Sequence, residues 1–135
     1  MTHPPTDPQP SPIVWRHTWP ERGPDFVASI AGGRIGRIHK THPDAIAHRE
    51  WVWSLAYRPR SRIPMQGRVH TKQEAADAIR ASLGIEMQWL AKQSQPLSLR
   101  PADPGPDPRL DWMRPPVRII IGRDVPWPEG WGKNA

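Results

Sequence analysis

Four histidines, His39, His42, His48 and His70, fall between residues 39 and 70, and Asp25, Asp44 and Glu50 are the acids between residues 25 and 72. A metal centre needs ligands at a spacing that one helix or loop can present, and neither a helical His-Glu-x-x-His nor a regular ligand interval is found. The histidines read as exposed groups that add positive charge below about pH 6.5. The chain has no cysteine, which excludes disulfides, thiolate nucleophiles and cysteine-ligated zinc. No Ser-His-acid order stands out, and Gly32-Gly33-Arg34-Ile35-Gly36 lacks the spacing of a phosphate-binding fingerprint. No catalysis, no cofactor and no metal are therefore expected, which leaves the chemistry of the guanidinium group.

From Asp25 to Lys72 there are nine lysines and arginines against three acids, an excess equal to the net charge of +6 carried by all 135 residues. Basic charge confined to one segment points to a polyanionic partner; a solvated basic face is the competing reading. The N-terminus has no apolar core of the kind a signal peptide needs. No apolar run approaches the ~20 residues of a membrane span. A cytoplasmic protein without a membrane partner is expected.

The elements that must position these charges are bounded by proline. Of 19 prolines, seven lie in residues 1–24 and nine in residues 96–128. Mean hydropathy is −0.70. Residues 1–24 read as a disordered proline-rich arm, 25–93 as the folded domain, and 94–135 as a proline-rich tail with a short strand at 117–121. A domain of that size buries only about 60% of its unfolded surface, so its core must come from large side chains: Trp51, Trp53 and Trp89 with Phe26, Leu55, Tyr57, Leu83 and Leu90. Trp15 and Trp19 interrupt the arm, and Ile13 to Trp19 is expected to dock on the domain.

Asp25 to Ile30 and Arg34 to Lys40 flank Ala31-Gly32-Gly33, which predicts a β-hairpin. Arg49 to Tyr57, rich in aromatic and branched residues, predicts a third strand. Its alternation puts Trp51, Trp53, Leu55 and Tyr57 on one face and Val52, Ser54 and Arg58 on the other, while Arg37 and His39 share a face on the preceding strand. Arg68 to His70 adds a short extended piece. Thr71 and Glu74 form a capping-box pair, and Ala76, Ile79, Leu83, Met87 and Leu90 form one helical stripe, with Gly84 a point where the helix bends or stops. The predicted fold is α+β, a three-stranded antiparallel sheet packed on one C-terminal helix, with disordered proline-rich termini. The tryptophans belong to the core, and the opposite sheet face stays free. Val117 to Ile121 is expected to pair with a sheet edge, in the same chain or in a second copy.

The run Gly67-Arg68-Val69-His70-Thr71-Lys72-Gln73-Glu74-Ala75-Ala76-Asp77-Ala78, after a tryptophan-rich strand, resembles the strand-to-helix junction of the plant AP2/ERF domain. It is also similar to the arm-binding domains of tyrosine integrases and to the last strand and helix of double-stranded-RNA-binding domains. The first two groups present a three-stranded sheet to the DNA major groove, which the resemblance would carry onto Arg34, Arg37, Arg49 and Arg58. Unlike AP2 domains, this chain places Arg58 to Gln66 between the tryptophan strand and Gly67. The order Gly-Arg-Ile, Trp-Val-Trp-Ser-Leu, Gly-Arg-Val is further similar to small α-proteobacterial proteins of unknown function, which carry no activity over.

The sequence thus predicts non-catalytic binding of nucleic acid, duplex DNA above all, through a basic sheet face and the Arg58 to Arg68 loop. Arg37 and Arg58 are the candidates for base or phosphate contact, Arg34 and Arg49 join them by resemblance, and Lys40, Arg60, Arg62 and Lys72 are expected to reach the backbone from the surrounding loops. The alternative is a protein-interaction module acting through the proline-rich arms and residues 117–121, binding another protein or a second copy.

Overall fold

A computed structural model describes residues 13–18, 24–102 and 107–125. Most of the predicted proline-rich arm, including Trp19, and residues 103–106 and 126–135 of the predicted tail lie outside the described residues. The fold is α+β, with one helix and an antiparallel sheet. The sheet has five strands rather than three: β1 (Val14–His17), β2 (Asp25–Ile30), β3 (Gly33–Lys40), β4 (Trp51–Leu55) and β5 (Gln66–Val69), each paired with its sequence neighbour. The two additional strands are short and cover the edges that a three-stranded sheet would leave open. β1 pairs Trp15 with Ala28 and His17 with Phe26, and it carries Trp15 onto the core. β5 pairs Val52 with Arg68 and Trp53 with Gly67.

The turn between β2 and β3 is a two-residue loop in which Ala31 (φ 50°) and Gly32 (φ 83°) are both left-handed, the geometry that matches strand twist in a tight hairpin. The register then shifts. Ala28 pairs with Gly36 but Ser29 pairs with Arg34, leaving Ile35 as the extra residue of a β-bulge. Ile35 is fully buried, and its carbonyl accepts from the Ala56 amide at 2.9 Å.

Thr71 caps α1 (Lys72–Lys92): its hydroxyl accepts from the Glu74 amide at 3.1 Å, and Glu74 accepts from the Thr71 amide at 3.0 Å. The helix runs through Gly84 without interruption, and ends in a Schellman arrangement: Gln95 donates to the Leu90 carbonyl at 2.9 Å and Ser94 to Ala91 at 3.0 Å, with Ser94 left-handed. Ala75, Ile79, Leu83, Met87 and Leu90 face the sheet. Trp53, Leu55 and Tyr57 are buried, and Trp51 and Trp89 pack against the same core. The close approach depends on Gly36, where a Cβ would lie 2.7 Å from the Ser54 carbonyl and 2.9 Å from Ile79.

After α1 the chain forms a second, two-stranded sheet. β6 (Leu97–Leu99) pairs with β7 (Val117–Ile119), with a 3-10 helix (Pro108–Met113) in the connection. Leu97, Leu99, Ile119, Ile121 and Val125 join the same core, which therefore extends beyond residues 25–93. The hairpin is fastened to the β2–β3 turn, where Arg34 donates to the Arg100 carbonyl at 2.8 Å and Ala102 to Gly32 at 2.9 Å. Glu86, 1% exposed, anchors the β4–β5 loop by accepting from the amides of Arg60 and Ser61 and from the Ser61 hydroxyl. Among the described residues no helix is long and apolar enough to cross a membrane.

Candidate nucleic-acid interface

With the helix on one face of the main sheet, strand alternation assigns the other face. Arg16 lies opposite Val27, Arg37 between Val27 and Ser54, and Arg68 opposite Val52, so all of these share the face turned away from the core residues Ala28, Ile38 and Trp53. Arg34 joins them through the bulge. Three residues apart on a regular strand, Arg34 and Arg37 would point to opposite faces; the extra residue Ile35 restores both to one. They line a pocket of about 360 Å³ together with Thr18, Val27, Ser54 and Ala56.

The electrostatics of this face centre on Asp25. Its carboxylate accepts from Arg37 Nε at 2.8 Å and from Arg37 Nη2, and from the Thr18 hydroxyl at 2.9 Å. The Arg37 hydrogen bond, outweighing partial desolvation, holds the Asp25 carboxyl below the usual carboxylate range, and Asp25 raises Arg37 in turn. Among the described residues Arg34 has no acidic partner, and its Nε is enclosed without a hydrogen bond. The Arg68 guanidinium donates through Nη2 to the carbonyls of His42 at 2.6 Å and Arg49 at 3.3 Å, strapping the β3–β4 loop to β5.

The other predicted residues lie elsewhere. Lys40 pairs with Glu50 at 3.6 Å and stands opposite Trp51, on the side of Ile38. Arg49 wraps Asp44, with Nη2 and Oδ2 at 2.9 Å, and this contact pulls the Asp44 carboxyl down to about 2. Arg60 donates to Gln95 and lies 5.7 Å from the Trp89 ring centre, so it turns toward the helix layer. Lys72 opens α1 with Nζ 4.0 Å from the Phe26 ring centre, again on the helix side. Arg58 and Arg62 are exposed in the β4–β5 connection; β4 ends at Leu55, so alternation does not assign Arg58 a sheet face. Arg58 instead lines a second pocket, of about 400 Å³, with Tyr57, Met65, Leu99 and Arg100.

The structure thus brings Arg34 and Arg37 together and disperses the remaining six. Two further arginines stand on the open face: Arg16, which was unanticipated, and Arg68, which was expected only at the end of the loop after β4. Arg68 could have been placed by extending the alternation of Trp51 to Leu55 onto the next strand. Arg16 was hidden in a segment dominated by proline. No tryptophan or phenylalanine of the five strands is on the open face, because Trp15, Phe26, Trp51 and Trp53 have core parity. His70 donates through Nε2 to the Ala47 carbonyl at 2.9 Å, and His39 Nδ1 is enclosed without a partner among the described residues. Among the described residues no three His, Asp or Glu side chains gather in a group able to hold a metal ion. Comparison with protein-family models, with curated proteins and with solved structures finds no match.

Proposed function

We propose that the protein binds nucleic acid without catalysis, through the open face of its five-stranded sheet. One observation carries this reading: the face that α1 leaves uncovered brings together Arg16, Arg34, Arg37 and Arg68, with Asp25 beside Arg37. Phosphate is the ligand such a face suits, since guanidinium groups meet its oxygens with two parallel donors. Aromatic stacking on unpaired bases is not what this face offers, which favours duplex over single strand.

The docking geometry differs from that of a three-stranded reader. Five strands span about 19 Å between the outer pair at ~4.8 Å spacing, wider than the ~12 Å major groove of B-DNA. The sheet therefore lies across phosphate backbones rather than inside a groove, and binding is weakly dependent on sequence. Arg58 and Arg62 extend the basic surface from the β4–β5 loop.

Titration of labelled duplex DNA and duplex RNA by fluorescence anisotropy at two salt concentrations tests the reading. Four phosphate contacts on DNA give a log–log salt slope of about −3.6, so a fourfold rise in salt weakens binding on the order of 100-fold. Absence of binding at low salt, or binding indifferent to salt, overturns it.

A second reading, a protein-interaction module, has its own support. The 3-10 helix exposes Leu110, Trp112 and Met113, with Trp112 73% exposed. A protein partner would meet that helix rather than Val117–Ile119, which β6 already pairs. Binding that survives salt and fails on Trp112→Ala would favour it.

A further inference from the structure

We propose that the pocket between Arg34 and Arg37 is a discrete phosphate site that takes one phosphodiester group of the nucleic-acid backbone; the proposal rests on the nucleic-acid reading of the open face. The β3 bulge is what builds it. Without the extra residue Ile35, Arg34 would turn toward the core and the pocket would hold one guanidinium instead of two. The bulge is firmly held, since the Ile35 side chain is fully buried and its carbonyl accepts from Ala56.

The donors are complementary. Asp25 occupies Nε and Nη2 of Arg37 and is itself held by the Thr18 hydroxyl, so Arg37 is fixed in orientation with Nη1 uncommitted. Arg34 is half-buried, and its Nε has no acceptor among the described residues. A guanidinium of this kind is partly desolvated without gaining an acceptor, a cost that an oxyanion meeting its terminal nitrogens offsets. The register partner of Arg37 on β4 is Ser54, whose hydroxyl adds a third donor to the same pocket. Val27 and Ala56 supply apolar wall, which lowers local screening and strengthens each charged contact.

Charge selects among phosphates. Two guanidiniums less the Asp25 carboxylate leave a balance of one positive charge, which matches the single charge of a diester rather than the nearly double charge of a terminal monoester. The volume of about 360 Å³ is at the small end of the ~300–1,000 Å³ usual for ligand pockets. It admits a phosphate with part of its flanking sugars.

The test combines two probes on the full chain. In the first, the Nε–Hε resonance of Arg34 is followed by NMR during titration with dimethyl phosphate and, separately, with inorganic phosphate. In the second, duplex DNA affinity is measured for native protein, Arg34→Ala, Arg34→Lys, Ser54→Ala and Arg80→Ala, the last an exposed helix arginine paired with Asp77. Thermal melting checks that each variant is folded, and Arg34→Lys keeps the charge should Arg34→Ala fail to fold.

The expected result is a saturable shift of Arg34 with dimethyl phosphate. Arg34→Ala should lose about tenfold in duplex affinity and flatten the salt slope by about 1. Arg34→Lys should recover part of the affinity, because an ammonium lacks the planar fork. Arg80→Ala should change nothing. If Arg34 is unmoved by either phosphate, or Arg34→Ala behaves as Arg80→Ala while the native protein binds duplex, the site is overturned and the reading of the face stands. Tighter binding of inorganic phosphate than of dimethyl phosphate overturns the diester assignment. A dimethyl phosphate shift without any duplex binding keeps the phosphodiester site and overturns the nucleic-acid reading.

Discussion

Asp25 accepts from both Thr18 and Arg37, so its protonation is felt across β1, β2 and β3. Its folded pKa is lowered from 3.8, so its stabilisation is complete above about pH 4 and disappears as pH falls through the folded value. Arg37 remains 48% exposed, and solvent screening limits the contribution to about 1 kcal/mol. Urea melts of native protein and Asp25→Asn should differ by that amount at pH 7 and converge as pH falls below the lowered folded value of Asp25. A residue with the opposite sign is Tyr57. Burial, reinforced by the charge of Glu86, raises its pKa far above 10, and its buried hydroxyl has no hydrogen-bond partner among the described residues. Native protein should lose stability as pH rises above about 10, where unfolded tyrosine ionises first. Tyr57→Phe should abolish that loss and leave the protein as stable at pH 7 or more so, by up to about 1 kcal/mol, measured by the same melts. At this scale the facing of Arg37 and His39 was legible from the two-residue period of the strand. Arg34 was not, because a bulge is a local exception to that period and leaves no signature in residue type.

Elements were legible where several physical signals coincided. The start of α1 combined a capping box with an apolar stripe; the box is present, and the stripe runs through Ile79, Leu83, Met87 and Leu90 as expected but begins at Ala75 rather than Ala76. The β2–β3 hairpin was marked by its glycines, although one of its two left-handed positions is filled by Ala31. Alanine pays about 1 kcal/mol to be there, so Ala31→Gly or Ala31→Asn should stabilise the protein by a comparable amount. Thr71→Ala should cost about 1 kcal/mol through loss of the cap, and thermal melting of the two substitutions should show shifts of opposite sign. β1 and β6 escaped detection for a shared reason. Each is four residues or fewer beside prolines, and each owes its strand conformation to a partner rather than to its own propensity. Gly84 looked like a break from composition alone, but helix continuity costs little where packing on both sides of the glycine is already made.

For the molecule as a whole, the proline-based division into arm, domain and tail described the chemistry of the chain better than its packing. Apolar residues of the tail, Leu97, Leu99, Ile119, Ile121 and Val125, lie in the same core as Trp53 and Ile79. A low density of apolar residues between prolines conceals such a contribution, because a few well-placed side chains suffice. The main sheet is a pure meander, with every strand beside its neighbour in sequence. Hairpins of that kind close short loops, which makes for a low contact order and rapid folding. The β6–β7 pairing must instead close the longer excursion from Leu99 to Val117, so it is expected to form after the rate-limiting step. Leu99→Ala, costing at least about 2 kcal/mol, should then speed unfolding about 30-fold or more and leave the refolding rate nearly unchanged in stopped-flow chevrons. The tail hairpin would act as a latch on a sheet already assembled, setting how long the native state lasts rather than how quickly it is reached.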